Sequence, residues 1–227
     1  MKKVAVILSG SGVYDGSEIH ESVISLLELE KAGISYECFA PDLEQHHVVN
    51  HLNGEERKES RNVLVEAARI ARGAIKDLSH LDSSKFDGLL MPGGFGVAKN
   101  FTKWAFEGPN GSIVQAVKEI ILAFRNSDKA ILALCMSPTV IAKAFENSDH
   151  HIQLTVGSSS EASPYDIAGI SEGMKSIGAS PENKAVHEFR IDPKNKIINT
   201  PCYMMEASML DIQQGISKSV AAFSNLL

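Results

Sequence analysis

Short apolar segments alternate with longer amphipathic segments along the chain. The segments Val4–Leu8 and Ala130–Leu134 are continuously apolar, which is typical of strands buried on both faces of a sheet. The pattern predicts strands at Val4–Leu8, Tyr36–Ala40, Gly88–Met91, Ala130–Leu134, Ile152–Val156 and Lys196–Asn199. It predicts helices at Glu18–Ala32, Arg61–Ala71, Ser112–Arg125, Thr139–Glu146, Ile167–Ile177 and Met205–Leu227. Because strands and helices alternate, we expect an α/β fold with a mostly parallel sheet covered by helices on both faces.

Two stretches interrupt this alternation and predict small hairpin insertions. Residues His46–Asn62 contain the dipeptide Asn53-Gly54, a common two-residue hairpin turn. Residues Glu188–Thr200 have turn-forming residues in the middle, Asp192-Pro193-Lys194-Asn195. With no linker or repeat in between, the sequence predicts a single domain over residues 1–227.

The first helix has a start signal, a stop signal and an apolar set. Asp15 followed three residues later by Glu18 predicts a capping box, and Gly33 predicts the end of the helix. The apolar residues expected on its buried face are Ile19, Val23, Leu26 and Leu27. Helical periodicity then places Glu21 roughly opposite that face.

Composition narrows the function classes. The formal net charge is −6, which argues against a generic nucleic-acid binder, because phosphate contacts need clustered Lys and Arg. No apolar run approaches the ~20 residues that span a bilayer, and the N-terminal run is too short for a signal-peptide core. Three irregularly spaced cysteines indicate a reducing compartment, and we expect the cytoplasm.

One cysteine lies where α/β folds present a nucleophile. Cys135 directly follows the strand Ala130–Leu134, and Pro138 near the start of the next helix suits a first-turn position. The helix N-terminus favours a thiolate there, and the Met136 N–H points toward a developing oxyanion. A buried structural thiol is an equally good interpretation of position alone.

Two glycine-rich loops are expected at the same carboxyl edge of the sheet, where open α/β sheets bind ligands. The loop Met91-Pro92-Gly93-Gly94 can expose backbone N–H groups, although a simple tight turn explains it as well. The loop before the first helix leads to Glu18, His20 and Glu21. Either acid could serve as a proton donor or acceptor, but solvated acids near a helix start are the simpler interpretation.

The other polar candidates suggest little chemistry. The histidines have no metal-ligand spacing, so neither a metal ion nor a cofactor is expected. Cys38 is predicted to be core. Cys202 lies in a loop where packing is the favoured role, with the candidate site as the lesser alternative.

The chain resembles the enhancing-lycopene-biosynthesis (ElbB-like) family, within the PfpI and class I glutamine-amidotransferase-like superfamily. The blocks that carry the resemblance are VAVILSGSGVYDGSEIHES, CFAPD, SRNVLVEAARIARG, MPGGFGVAKN, ALCMSP and the late NTP. The resemblance implies a flavodoxin-like three-layer sandwich, with Cys135 as nucleophile and Glu21 as the acidic partner on the first helix. It also implies oxyanion donors at the Gly94 and Met136 N–H groups, lining by Gly93, Glu18, His20 and Cys202, and a homodimer.

The chain also departs from the superfamily pattern. Ser11 stands where the family often has cysteine, and no histidine follows Cys135, where Met136 stands. Amide hydrolysis needs a proton delivered to the leaving amine, so glutaminase or protease activity is not expected. The resemblance instead implies a glutathione-independent glyoxalase that converts small 2-oxoaldehydes, glyoxal or methylglyoxal, to 2-hydroxy acids. The alternatives are a non-enzymatic cysteine redox sensor or a partner-binding protein in isoprenoid metabolism, and a weaker one is repair of early glycation adducts.

Overall fold

Seven strands form the central sheet of the computed structural model, which describes residues 1–227. The whole molecule has nine strands. In chain order they are β1 (Lys3–Ile7), β2 (Ser35–Ala40), β3 (Ile75–Asp77), β4 (Gly88–Met91), β5 (Ala130–Leu134), β6 (Gln153–Leu154), β7 (Ser180–Pro181), β8 (Arg190–Asp192) and β9 (Ile197–Thr200). The sheet order is β3-β2-β1-β4-β5-β9-β8, and only β8 runs antiparallel to its neighbour. Strands β6 and β7 pair in a separate small sheet.

Seven helices surround the sheet. They are α1 (Ile19–Lys31), α2 (Val63–Ile70), α3 (Trp104–Glu107), α4 (Gln115–Asn126), α5 (Ser137–Phe145), α6 (Ile167–Ser176) and α7 (Met209–Ser224). Helix α1 packs against α7, and α4 packs against α5. None of them is long and apolar enough to cross a bilayer. The predicted fold class, a flavodoxin-like α/β fold with a mostly parallel sheet, is confirmed.

The apolar strands meet in one hydrophobic core. Residues Val4–Ile7 of β1 and all of β4 and β5 are buried, as their continuous apolar runs predicted. The predicted strand Ile152–Val156 is only two residues long and lies outside the central sheet. Strand β3 has no sequence prediction, because Ile75–Asp77 is a short, largely polar segment at the edge of the sheet.

The two predicted hairpins have different outcomes. Strands β8 and β9 form the second one with regular antiparallel pairing. The first is reduced to isolated antiparallel bridges, Glu44 with Asn62 and Val49 with Glu56. The loop that joins Val49 to Glu56 turns at Gly54, whose φ of 76° suits a glycine.

The start of α1 differs from the predicted capping box. Glu18 itself is the N-cap residue, and its Oε2 accepts a hydrogen bond from the Glu21 N–H at 2.6 Å. Asp15 instead accepts from the Val49 N–H at 2.7 Å, which ties the first loop to the insertion. The predicted stop is confirmed, because Gly33 has a φ of 69° directly after the C-cap residue Ala32.

The apolar face predicted for α1 was wrong. Ile19, Val23 and Leu27 are 45%, 48% and 47% exposed, whereas Glu21 is fully buried. The buried side of the helix also carries small serines, Ser22 and Ser25. Periodicity failed here because the helix turns its acidic and small residues toward the sheet and leaves part of its apolar set outside.

Asn100 joins three segments beside the carboxyl edge of the sheet. Its Oδ1 accepts a hydrogen bond from the His46 N–H at 2.9 Å. Its Nδ2 donates to the carbonyls of Ser9 and Asp15, both at 3.1 Å. The side chain is 5% exposed, so these groups have little access to water.

We expect Asn100→Ala to lower the free energy of unfolding by about 2–4 kcal/mol, because it leaves buried backbone groups without partners. Urea unfolding followed by circular dichroism measures the change. Asn126→Ala, at the exposed end of α4, is the matched control and should cost less than about 0.5 kcal/mol. Equal losses in the two variants would show that Asn100 does not hold these loops together.

Candidate active site

Cys135 occupies the sharp turn between β5 and α5. Its φ is 56°, an uncommon conformation for a residue with a side chain, and such strain is concentrated at functional sites. The Cys135 N–H donates to the Thr200 carbonyl at 3.0 Å, which anchors the turn to β9. The residue is 4% exposed. The predicted turn from strand to nucleophile to helix is therefore present.

Glu21 lies in the first turn of α1 and directs its carboxyl group at the same point. Oε2 accepts a hydrogen bond from the Gly93 N–H at 3.0 Å, and Oε1 accepts from the Tyr203 N–H at 3.2 Å. The carboxyl interacts directly with the Cys135 thiol. The sequence pattern placed Glu21 away from the buried face, and only the family resemblance selected it.

Gly93 lies against both reactive groups. A Cβ atom built on this glycine would lie 2.8 Å from Cys135 Sγ and 2.7 Å from Glu21 Oε2. Real Cβ atoms do not come this close, so no other residue fits without displacing the thiol or the carboxyl. The predicted glycine loop thus brings its backbone into contact with both groups.

Burial dominates the electrostatics of the pair. It raises the pKa of the Cys135 thiol well above its ordinary value, and the neighbouring Glu21 carboxyl raises it further. The backbone N–H groups of Gly94 and Met136 face the sulfur and oppose this shift in pKa. The sequence favoured a thiolate at the helix N-terminus, but in the folded protein desolvation outweighs the helix and favours the thiol.

The carboxyl group is shifted in the same direction. Burial and the nearby charge of Glu18 raise the pKa of Glu21 to about 8. Contact with the Cys135 thiol and the two backbone N–H donors limits this rise in pKa. The pair is therefore uncharged just below neutral pH, and Glu21 becomes able to accept a proton as the pH passes about 8.

The remaining predicted site residues take supporting positions. Glu18 caps α1 and is 8% exposed, and burial raises its pKa. His20 is exposed, and its Nδ1 lies 2.9 Å from the Tyr203 hydroxyl rather than at the thiol. No group of three or more His, Cys, Asp or Glu side chains comes together in a metal-binding arrangement.

Cys202 is closer to the reactive pair than the favoured loop-packing interpretation implied. It follows β9, which pairs with β5, and its thiol lies near the Cys135 backbone N–H. Its φ of 49° repeats the unusual backbone of Cys135 on the neighbouring strand. The charge of Glu21 and burial raise the pKa of this thiol well above normal. Cys38 is a buried residue of β2, as predicted.

Three tyrosines near the site were not predicted. Tyr14, Tyr165 and Tyr203 line a cavity of about 530 Å³ together with Glu18 and His20. The charges of Cys135 and Glu21 contribute to the raised pKa of Tyr165, about 12, although burial is the main cause. They come from three distant loops, and no spacing in the sequence marks them.

Comparison with known proteins assigns the family. The chain is 40% identical over 220 residues to the mitochondrial ES1 protein homolog of Rattus norvegicus, covering 96% of this chain and 81% of that protein. The same values hold for the mitochondrial glutamine amidotransferase-like class 1 domain-containing protein 3 of Homo sapiens. The chain belongs to the ES1 protein family. No protein-family model matches it.

Solved structures place the ES1 family in a wider fold group. An isoprenoid biosynthesis protein with an amidotransferase-like domain from Ehrlichia chaffeensis superposes with a TM-score of 0.90 and 33% identity, covering 100% of this chain and 99% of that one. DJ-1beta of Drosophila melanogaster gives a TM-score of 0.55 at 17% identity, over 97% of this chain and 88% of that one, and shares the fold. The class I glutamine-amidotransferase-like superfamily suggested by the sequence is thus supported.

We expect the reactivity of Cys135 to rise with pH around a midpoint near the Glu21 pKa of about 8. Below that pH the protonated carboxyl cannot accept the thiol proton, and above it the carboxylate can. Iodoacetamide labelling from about pH 6 to about pH 10, followed by peptide mass spectrometry, measures the profile. Glu21→Gln removes the acceptor and should abolish the midpoint; a wild-type rate already maximal at the acidic end would contradict the assignment.

Proposed function

We propose that this protein is a glutathione-independent glyoxalase that converts small 2-oxoaldehydes to 2-hydroxy acids. The observation that carries the proposal is the buried Cys135–Glu21 pair, with two backbone N–H groups facing the sulfur and no histidine in contact. Isomerisation of an aldehyde needs a nucleophile and a proton shuttle, and it expels no amine. The pair supplies both groups.

The reaction begins with addition to the aldehyde carbon. Glu21 accepts the thiol proton as Cys135 Sγ bonds to that carbon. It then passes this proton to the aldehyde oxygen, which becomes the hydroxyl of a hemithioacetal and leaves Glu21 ionised. The N–H groups of Gly94 and Met136 already face the sulfur, so they are placed to stabilise an oxyanion on the carbon bonded to it.

The second stage moves one proton between adjacent carbons. Glu21 removes the proton from the former aldehyde carbon, giving an enediol, and returns it to the neighbouring carbon. The aldehyde carbon is thereby oxidised to a thioester while the ketone carbon is reduced to an alcohol. Water then cleaves the thioester, releasing the 2-hydroxy acid and the free thiol. A pKa of about 8 suits Glu21 to this exchange, because it lies near the operating pH.

Methylglyoxal or glyoxal incubated with the wild-type protein should give lactate or glycolate catalytically. Cys135→Ala should abolish product, and Glu21→Gln should lower the rate by about 10²–10⁴-fold. Cys38→Ala, a buried cysteine of β2, is the matched control and should keep the activity. NMR of the product distinguishes turnover from adduct formation. Formation of the 2-hydroxy acid by Cys135→Ala at the wild-type rate would contradict the mechanism.

A redox sensor is the second candidate, and the position of Cys202 favours it. Hydrogen peroxide converts a cysteine thiol to a sulfenic acid with loss of water. A sulfenic acid on Cys135 would form beside the Cys202 thiol, which can condense with it to a disulfide and release a second water. Cys135 directly follows β5, and Cys202 lies two residues after the paired strand β9, so both cysteines lie at the same edge of the sheet.

Mild peroxide should therefore lower the mass of the wild-type protein by about 2 Da through a Cys135–Cys202 disulfide. In Cys202→Ser the same treatment should add oxygen to Cys135 instead, since no thiol is in reach. Intact-mass and peptide mass spectrometry report both products. Oxygen addition in the wild type without any disulfide would remove Cys202 from the sensor proposal.

The subfamily, the metabolic role, the oligomeric state and the cellular location of the protein are also proposals. The Ehrlichia chaffeensis relative is named as an isoprenoid biosynthesis protein. We therefore also propose that this protein is ElbB-like and is linked to that metabolism. A homodimer and a small-molecule aldehyde partner remain predictions, as does repair of early glycation adducts. Cysteine usage predicted the cytoplasm, whereas the names of the rat and human relatives contain the word mitochondrial, so mitochondria are the competing location.

A further inference from the structure

A cavity beside the start of α1 is lined by acids and aromatic rings. It measures about 530 Å³, and its lining includes Tyr14, Tyr165 and Tyr203 with Glu18, Glu206 and His20. Two lining residues lead directly to Glu21. Glu18 Oε2 accepts a hydrogen bond from the Glu21 N–H, and the Tyr203 N–H donates to Glu21 Oε1. Glu18 and Tyr203 therefore connect the lining of this cavity to Glu21.

The charge of the cavity is one-sided. No lysine or arginine lines it. Neither Glu18 nor Glu206 takes part in an ion pair. Lys99 donates to the Tyr14 carbonyl from outside the lining, and its charge is balanced by Asp15. A ligand group thus meets two carboxyl groups that lie outside any ion pair, and the charge of the lining residue His20 acts on Glu18.

Carboxylates beside tyrosine faces are the chemistry that binds ammonium groups. A cation gains Coulomb attraction to the acids and an attraction to the electron-rich ring faces. A carboxylate or phosphate meets repulsion in the same place, which is how sites reject unwanted ligands. The apolar remainder of the lining, such as Val13 and Met205, suits a small hydrocarbon body.

We propose that this cavity selects carbonyl compounds that carry a protonated amine and discriminates against those that carry a carboxylate or phosphate. The inference rests on the proposed function in one respect, namely that the selected compound reacts at Cys135. Glu206 is the residue that sets the preference, because it is exposed at the cavity and supports neither Glu21 nor Cys135. Glu18 contributes charge as well, but it also holds the start of α1.

Three methanethiosulfonate reagents test the charge preference. One carries a trimethylammonium-ethyl group, one a sulfonatoethyl group and one a neutral methyl group. In each case the Cys135 thiolate attacks the sulfenyl sulfur, forms a mixed disulfide and releases methanesulfinate. Peptide mass spectrometry follows modification at Cys135 separately from Cys38 and Cys202. Each rate is divided by the rate with a small free thiol, which removes intrinsic differences between the reagents.

The normalised rate of the cationic reagent should exceed that of the anionic one by about tenfold at low salt, and the ratio should shrink as salt screens the acids. Glu206→Gln should lower the ratio about threefold while leaving the neutral reagent unaffected. Glu172→Gln removes an exposed acid of α6 outside the cavity and should not change the ratio.

A wild-type ratio of one or less, or equal ratios in the two variants, overturns the proposal. So does failure of all three reagents to modify Cys135, because the cavity would then not lead to the sulfur. The labelling needs a thiol but no aldehyde turnover. If the protein selects reagents by charge but has no glyoxalase activity, the proposed charge preference of the cavity stands and the proposed enzyme activity is wrong. If it turns over aldehydes without charge selection, the enzyme activity stands and the charge preference is wrong.

Discussion

Contact between an uncharged thiol and an uncharged carboxyl in a dry position is the interaction on which the site depends. Two ionised groups cannot be buried side by side without a cation, and no lysine, arginine or histidine contacts the Cys135–Glu21 pair. The protein satisfies the carboxyl oxygens with the backbone N–H groups of Gly93 and Tyr203 instead. These neutral donors fix the carboxyl in place and still leave its pKa near the physiological range.

Other residues at the edge of the sheet where the parallel strands end hold the thiol and the Glu21 carboxyl in contact. Gly93 lets the backbone pass close beside the thiol and the carboxyl, and its carbonyl accepts a hydrogen bond from the Glu18 N–H at 2.9 Å. Asn100 ties the first loop to the insertion. Helix α1 therefore starts at a position set by neighbouring loops, and Glu21 and Ser22 of its first turn are held inside the protein.

Proton chemistry and cysteine oxidation use the same geometry in different ways. Isomerisation of an aldehyde needs Glu21 to give and take one proton repeatedly, which its shifted pKa permits. Oxidation needs a second thiol, and Cys202 provides it from the adjacent strand end. In our proposal the acidic, tyrosine-lined cavity adds selection by charge before either reaction at Cys135.

The sequence by itself determined the elements whose signal is local. Continuous apolar runs marked β1, β4 and β5, and the turn at Cys135 followed from a buried strand that ends at a cysteine before a proline. Tertiary structure alone decided the face of α1, the isolation of β6 from the central sheet and the meeting of Cys202 with Cys135. Glu21 was selected only through the family resemblance. Periodicity assigns the buried face of a helix from its apolar residues, and it therefore placed this acid on the opposite face. The cavity brings Tyr14, Tyr165 and Tyr203 together from loops far apart in the chain, and nothing in their sequence positions shows that they are neighbours in space.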